Sequence, residues 1–338
     1  ILNVNTLNIQ KTNFIEKGIG TILIEHQYKK AIKEHFRDVK FDLLIYSTPP
    51  ITLTGVISSV KKRTGAHTYL LLKDIFPQNA VDLGMMSKRG FLYRFFRHKE
   101  KRLYKLSDYI GCMSPANVEY LLSHNKFIDK RKVEVCPNSI EITDKNTGLY
   151  SEHKLKERYN ISAKATIFIY GGNLGKPQGV DFLLEVLESN IKNENVFFLI
   201  VGAGTEFPVI SSWFEKNQPC NAKLIPSLPV EEYNQLVCLS DVGMIFLDRR
   251  FTIPNYPSRL LAYLEFKKPV LMAIDKATDL GRIAEENNYG FWSESGDIEG
   301  FNKNLSKFIE DNSLIKTMGE AGYDFLVKNY TVDITCSR

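Results

Sequence analysis

Apolar and polar positions alternate along this chain in two recurring patterns: short β-branched or apolar runs, and longer stretches with helical spacing. This alternation is typical of parallel strands that are joined by helices. In the first part of the chain, the short runs predict four buried strands, at residues 42–46, 67–72, 109–113 and 133–136. The pattern therefore predicts an α/β fold.

The second part repeats the alternation more regularly. Five apolar runs predict strands, at residues 166–170, 197–201, 223–225, 242–246 and 270–273. The segments between and after them have helical periodicity, at residues 179–188, 207–216, 230–240, 258–266 and 280–287. This arrangement indicates a doubly wound, Rossmann-like domain.

A polar stretch without a sustained apolar period separates the two parts, at residues 141–156. Its Asp, Asn, Thr and Gly residues are typical of a linker. We therefore expect a first domain at residues 1–142, a linker at 143–156 and a second domain at 157–338.

Composition and charge narrow the class of protein. Of the 338 residues, 43 % are hydrophobic and 25 % are charged, which is typical of a packed protein and not of a disordered or collagen-like chain. The net charge is +5, but residues 87–105 alone carry +7 (eight Lys or Arg against one Glu), which leaves −2 for the rest. A general nucleic-acid coat does not fit this balance, so no nucleic-acid partner is expected.

The basic stretch itself has helical periodicity. One arc of the helical wheel holds Phe91, Leu92, Phe95, Phe96, Leu103 and Leu106, and the opposite arc holds Arg94, Arg97, Lys101 and Lys105. This pattern is typical of a helix that lies on anionic lipid, with Phe91, Phe95, Arg94, Arg97 and Lys101 facing the membrane. An ordinary core-facing helix with a solvated basic face is the alternative.

Two glycine-containing turns are candidate phosphate sites, because open α/β sheets bind ligands beyond the carboxyl ends of their strands. The turn at residues 171–179 contains Lys176, whose ammonium suits a phosphate, and glycines that let the backbone approach it. The second turn has Gly202 and Gly204 but Phe207 in place of the third glycine of a G-x-G-x-x-G fingerprint. A solvated turn is the alternative at the first, and a tight strand-to-helix turn at the second.

Two further segments contain candidate functional residues. Residues 254–259 lead into a predicted helix that Ser258 or the residues before it are placed to cap, and Arg259 could add a bidentate phosphate contact. The alternative there is a surface helix with an incidental arginine. In the first domain, residues 73–79 directly follow a predicted strand, a placement that favours ligand contact. Asp74 is a candidate base or orienter of an acceptor hydroxyl, with a structural pair to Lys73 as the alternative.

Several chemistries have no support in the sequence. It contains no G-x-S-x-G, H-E-x-x-H, Walker A or D-x-D motif, and its five cysteines lack metal-binding spacing. We therefore expect no metal and no cofactor, and reduced thiols in a cytosolic protein. No apolar run approaches the roughly 20 residues that a membrane-spanning helix needs.

Six segments together resemble bacterial retaining glycosyltransferases of family 4, in particular the L-fucosamine-transferase-type enzymes of capsule and O-antigen assembly. They are YSTPP at 46–50, LKDIFPQNAVDLG at 72–84, MSPAN at 113–117, CPNS at 136–139, GNLGK at 172–176 and PSR at 257–259. The match covers nearly the whole chain, and the segments follow the order of the family.

The resemblance implies a GT-B fold, in which two Rossmann-like domains face each other across a cleft. The second domain would hold a UDP-sugar and the first an acceptor, contacted by Lys73, Asp74, Gln78 and Asn79. The implied donor contacts are Gly172, Asn173, Gly175 and Lys176 at the diphosphate with Gly202 and Gly204, Ile225 and Pro226 near the uracil, and Pro257, Ser258 and Arg259 against phosphate or sugar. Asp74, Lys176 and Arg259 are the candidate catalytic residues.

The chain departs from the family pattern in two places. A pair of glutamates that many members carry eight positions apart falls here on Pro254 and Ala262, and the role is not transferred to Glu265. The strand, loop and helix with which members begin, on the order of 70 residues by that pattern, lie before the region matched by Ile1. We therefore expect an incomplete first sheet with an exposed edge.

The leading hypothesis is a metal-independent enzyme that transfers a sugar from UDP to a polyprenyl-diphosphate-linked saccharide with retention of configuration. It would act at the inner face of a bacterial membrane. A nucleotide-sugar 2-epimerase and a non-catalytic nucleotide-sugar-binding subunit are the alternatives.

Overall fold

The computed structural model describes residues 1–4, 14–143 and 152–337. The chain divides into two compact units, Ile1–Pro137 and Asn138–Arg338. Most of the linker expected at residues 143–156 lies outside the described residues. Its last part forms a helix instead, because Glu152–Tyr159 is helical and buries Leu155.

The first unit contains a parallel sheet with the strand order β1-β2-β3-β4. Its strands are β1 (Leu43–Ser47), β2 (His67–Leu72), β3 (Tyr109–Cys112) and β4 (Val133–Val135). Its helices are α1 (Phe14–His35), α2 (Thr54–Thr64), α3 (Gln78–Asp82), α4 (Phe91–Leu106) and α5 (Pro115–His124). A core that includes Leu70, Leu103 and Ile110 packs on one face, whereas Leu43 and Ile45 of the edge strand β1 are exposed.

The second unit is built on a six-stranded parallel sheet with the order β10-β9-β8-β5-β6-β7. Its strands are β5 (Thr166–Asn173), β6 (Val196–Ala203), β7 (Ala222–Ile225), β8 (Val242–Phe246), β9 (Val270–Ile274) and β10 (Gly290–Glu294). Its helices are α6 (Glu152–Tyr159), α7 (Val180–Ser189), α8 (Phe207–Asn217), α9 (Val230–Leu239), α10 (Arg259–Glu265), α11 (Leu280–Glu286), α12 (Ile298–Glu310), α13 (Asn312–Asn329) and α14 (Val332–Cys336).

Both faces of this second sheet are buried. Ile169 and Leu199 pack into one core, and the neighbouring Phe168 and Phe198 pack into the other, because successive side chains of a strand point to opposite faces. Continuous burial on both faces explains why these strands are apolar runs rather than alternating ones.

The direction in which strands are added changes between β5 and β8. The chain passes from β5 to β6 and β7 on one side, and then returns to place β8 on the other side of β5. In doubly wound sheets, ligands bind beyond the carboxyl ends of the strands at such a switch point. The segments after β5 and β8 are therefore where a ligand is expected.

Candidate active site

The segment after β5 approaches the switch point as a tightly held turn. Gly172 adopts a φ of +122°, and Leu174, which is fully buried, anchors the chain behind it. A 3₁₀ turn at Lys176–Gln178 leads to Gly179, from which α7 begins. Lys176 is exposed, and no acceptor for its ammonium is found among the described residues.

Arg259, the first residue of α10, is held against this turn from two sides. Its Nη2 donates a hydrogen bond of 2.7 Å to Oε1 of Gln178, and its Cζ lies 4.4 Å from the centre of the Tyr170 ring. The Tyr170 hydroxyl in turn donates to the carbonyl oxygen of Asn173 at 2.7 Å. Burial raises the pKa of Tyr170 although the Arg259 charge opposes it, so the phenol stays protonated and keeps donating.

The second terminal nitrogen of the Arg259 guanidinium, Nη1, forms no hydrogen bond with the described residues. Nη1 of Arg259 is buried and has no acceptor in the described part of the chain. Gly172 lies beside the guanidinium, since a Cβ on Gly172 would be 3.7 Å from its carbon and from Nη2. A buried donor without a partner is costly, so this geometry favours an anionic ligand that supplies the missing acceptor.

Gly202 and Gly204, which the sequence analysis assigned to the donor site, have a packing role in this structure. A Cβ on Gly202 would overlap the carbonyl oxygen of Gly172, and one on Gly204 would overlap that of Leu174. The two glycines allow β6 to run directly beside the end of β5. Their contact with the donor stays a prediction.

The expected cap at Ser258 is wrong. Ser258 has φ −63° and ψ −21°, and its side chain makes no capping hydrogen bond. A capping side chain needs an extended backbone at that position, whereas Ser258 is already helical. Pro257 and Ser258 lie directly before α10, which begins at Arg259.

Ile225 is buried at the end of β7 and Pro226 after it is exposed, so their proposed uracil contact stays a prediction.

The predicted acceptor residues of the first unit bond mainly to one another. Nδ2 of Asn79 lies 2.9 Å from each carboxylate oxygen of Asp74, and the Thr48 hydroxyl donates to the Asp74 carbonyl oxygen. Burial raises the pKa of Asp74, against the opposing effect of the Ile75 N–H and the Asn79 amide. The alternative pairing with Lys73 is wrong, because Lys73 is exposed and forms no ion pair among the described residues. Gln78 donates to Asp82 at 2.7 Å.

Helix α4 orients its residues differently from the expected arcs. Its buried face is formed by Glu100, Leu103 and Tyr104, and Phe91 stands on the exposed side with Arg94 and Lys101. Phe91 is 80 % exposed, whereas Phe95 is half-buried.

Arg97 is a further correction to that helix. Its guanidinium donates to Glu100 at 2.5 Å and to Oδ1 of Asn125 at 2.7 Å, and these bonds direct it into the first unit. Arg97 is therefore not one of the free cations of the helix.

Two residues of the donor turn were missed as functional candidates. Tyr170 closes a predicted strand and Gln178 follows Pro177, so neither has a pattern of its own in the sequence. Only their position under and beside Arg259 assigns them.

Among the described residues, no group of three or more His, Cys, Asp or Glu side chains is placed to hold a metal. No helix in the same residues is long and apolar enough to cross a membrane.

Comparison with known proteins agrees with this fold. A family model described as glycosyl transferases group 1 matches residues 151–325, slightly more than half of the chain. The chain belongs to this family. Its fold is GT-B, with two Rossmann-like domains, as the resemblance implied.

Two relatives and one solved structure illustrate the similarity. The chain is 21 % identical over 336 residues to the probable glycosyltransferase WbjE of Pseudomonas aeruginosa, which covers 97 % of this chain and 80 % of WbjE. It is 22 % identical over 254 residues to the putative colanic acid biosynthesis glycosyl transferase WcaI of Escherichia coli K12, covering 73 % of this chain but only 60 % of WcaI. Anabaena HepE, solved with UDP and glucose, matches with a TM-score of 0.70 and 15 % identity over 92 % of this chain and 79 % of HepE.

Proposed function

We propose that this glycosyltransferase moves a sugar from a UDP-sugar to a polyprenyl-diphosphate-linked saccharide, with retention of anomeric configuration, in polysaccharide assembly. The named relative WcaI supports a polysaccharide product, and HepE supports UDP as the nucleotide. The finer assignment to family 4, and to an N-acetylated deoxyhexose as the donor sugar, rests on the resemblance of the sequence motifs to the L-fucosamine-transferase-type enzymes.

The observation that carries the proposal is the free end of Arg259. A diphosphate oxygen bound at Nη1 would give that buried N–H the acceptor it lacks. Lys176 would add a second positive charge from the exposed side of the turn. Arginine suits this position because its planar fork can bind Gln178 with one nitrogen and phosphate with the other.

The same two cations would assist the reaction. The bond between the anomeric carbon and the diphosphate oxygen breaks, a bond to the acceptor hydroxyl oxygen forms on the same face, and the acceptor proton leaves with the diphosphate. Negative charge grows on that diphosphate, so Lys176 and Arg259 would stabilise the transition state more than the ground state. We propose that these side chains supply the positive charge without a metal ion.

The acceptor side of the proposal is the loop after β2. Asp74 is held by Asn79 and Thr48, and this fixed geometry would let the carboxyl orient a hydroxyl group. Lys73 is exposed and could meet an acceptor phosphate. A lipid-linked acceptor would place the enzyme at a membrane surface.

Titration calorimetry with UDP tests the donor site. We expect Arg259→Ala to weaken UDP binding about 100-fold and the transfer rate by about 10²–10³, which is typical for removal of a transition-state donor. Arg282→Ala is the matched control, because Arg282 lies in an exposed pair with Glu286 on α11. Equal UDP affinity in the Arg259 variant and the wild type would reject the assignment.

Assay with a polyprenyl-diphosphate N-acetylhexosamine, in the presence of a chelator, tests the reaction. The expected product has the anomeric configuration of the donor. Turnover of UDP-sugar without any acceptor would favour an epimerase, and UDP-sugar binding without transfer would favour a non-catalytic subunit.

A further inference from the structure

Three residues of neighbouring strands form one row near the carboxyl edge of the second sheet. Gly171 of β5 pairs with Val201 of β6, and Val201 pairs with Ile225 of β7. Neighbouring strands lie about 4.8 Å apart, so Gly171 and Ile225 are separated by about 10 Å along this edge. In the predicted donor orientation, uracil lies at Ile225 and the diphosphate lies at Nη1 of Arg259. The ribose that joins them therefore lies between these two positions.

One tyrosine reaches into this interval from the adjoining helix. Tyr233 lies in the first turn of α9, the helix that follows β7, and its backbone N–H donates to the Pro229 carbonyl oxygen at 3.0 Å. Its hydroxyl lies against Gly171, because a Cβ on Gly171 would overlap that hydroxyl and the end of the ring. Tyr233 is half-buried, so part of its side chain is accessible to a ligand.

Three tyrosines lie near Arg259: Tyr170, Tyr233 and Tyr263. Burial raises the pKa of each, and the Arg259 charge opposes it, so all three phenols stay neutral. Two of them donate to carbonyl oxygens of β5, Tyr170 at 2.7 Å and Tyr263 at 3.2 Å. Tyr233 forms no such bond to the backbone in the described part of the chain. Support of the strand therefore does not explain its hydroxyl.

The neighbouring Tyr263 leaves the Tyr233 oxygen open. Tyr263 has a single proton, which it donates to the Ile169 carbonyl oxygen, and it accepts from the Gly171 N–H at 3.1 Å. A tyrosine hydroxyl has one donor and two acceptor positions, so Tyr263 can still accept from Tyr233 but has no proton to give it. The Tyr233 oxygen can thus accept a hydrogen bond from a ligand at the edge of the sheet.

We propose that the Tyr233 oxygen accepts a hydrogen bond from a hydroxyl group of the donor ribose and so selects nucleotides that carry the ribose diol. The diphosphate contacts cannot make this distinction, because every nucleoside diphosphate presents the same phosphate groups. A site that offers a polar group to a substrate hydroxyl rejects the analogue without it, since its own group then loses a partner. This inference deepens the proposed function, on which it rests for the presence of a nucleotide at this turn.

Titration calorimetry with UDP and 2′,3′-dideoxy-UDP tests the contact. The wild type should bind UDP about tenfold more tightly, which is the size expected for one hydrogen bond when water can replace the lost partner of a half-buried group. Tyr233→Phe removes only the phenol oxygen. It should weaken UDP binding about tenfold and leave the affinity for the dideoxy nucleotide unchanged, so that the preference disappears, as a double-mutant cycle requires of a direct contact.

Tyr323→Phe is the matched control, because Tyr323 is a half-buried tyrosine on α13 of the same unit, with its ring beside the Lys267 ammonium. It should keep the tenfold preference for UDP. Equal affinities in the wild type, or a preference that persists in Tyr233→Phe, would overturn the inference and leave the proposed function in place. An equal loss of both nucleotides in Tyr233→Phe would also overturn it, because a packing role gives that pattern. Absence of UDP binding by the wild type would reject the proposed function and this inference with it.

Discussion

Glycines serve two different purposes at the donor turn, although the sequence presents them alike. Gly172 leaves the space beside the Arg259 guanidinium open, whereas Gly202 lacks a side chain because the Gly172 carbonyl oxygen occupies that place. One glycine would contact a ligand and the other contacts backbone. A glycine pattern cannot distinguish these uses, since both need the absence of a Cβ.

The two glycines should therefore respond differently to alanine. Gly202→Ala should lower the free energy of unfolding by about 3 kcal/mol, because backbone cannot move aside as a flexible side chain can. Gly172→Ala should cost less stability, about 1 kcal/mol for its φ of +122°, but should weaken UDP binding more, since the methyl group would fill the space beside the Arg259 guanidinium. Chemical denaturation and calorimetry measure the two effects, and the reverse order of either would contradict the assignment.

At the scale of elements, a partly buried polar contact joins α2, β2 and the residue before β3 in the first unit. The Lys61 ammonium lies 2.7 Å from a carboxylate oxygen of Asp108, which also accepts hydrogen bonds from the Thr68 hydroxyl at 2.9 Å and amide at 3.0 Å. Burial alone would raise the pKa of Asp108, but these bonds outweigh it and lower the pKa below its usual value.

Asp108→Asn should destabilise the first unit in a pH-dependent way. A carboxylate whose pKa is lowered by folding stabilises the protein above its unfolded pKa of about 3.9, and this stability is lost as pH falls through the folded value. We expect a loss of about 2 kcal/mol at pH 7 that shrinks below about pH 4. Urea denaturation across this range, followed by circular dichroism, measures it. A difference that grows towards acid pH would have the wrong sign.

The alternation of elements could be predicted from sequence because burial dictates it, but strand ends could not. The run at 166–170 was expected to end where the glycines begin, yet β5 continues to Asn173, since Gly172 and Asn173 pair with Gly202 and Ala203. Glycine is unfavourable in strands by itself, so only the partner strand reveals this extension.

At the candidate site, too, the sequence does not reveal what depends on distant partners. Lys176 and Arg259 were found because their charge is unusual in a turn and at a helix start. Tyr170 and Gln178 were missed because their role depends on residues more than 80 positions away. The arcs of α4 were misassigned for a related reason, since Glu100 is buried with hydrogen bonds from Arg97 and Tyr104 that the apolar pattern does not show.

At the scale of the whole molecule, the two tryptophans report on one unit only. Trp213 and Trp292 both lie in Asn138–Arg338, which also contains the candidate donor site. Intrinsic tryptophan fluorescence therefore follows the unfolding of the second unit, whereas far-ultraviolet circular dichroism follows helices of both. The pair of signals can locate a ligand within the chain without any label.

UDP should raise the fluorescence midpoint of thermal unfolding. A ligand that binds only the folded state at about 100 times its Kd stabilises it by about 2.7 kcal/mol, or roughly 5–10 °C for a unit of this size. The shift should fall to about 1–2 °C in Arg259→Ala, where the same UDP concentration is only about the weakened Kd. It should persist in Arg282→Ala, because Arg259 has a buried N–H without an acceptor whereas Arg282 pairs with Glu286 at the surface. A UDP-induced shift of full size in Arg259→Ala would contradict the assigned donor site, since the proposed site relies on that buried donor for most of its affinity.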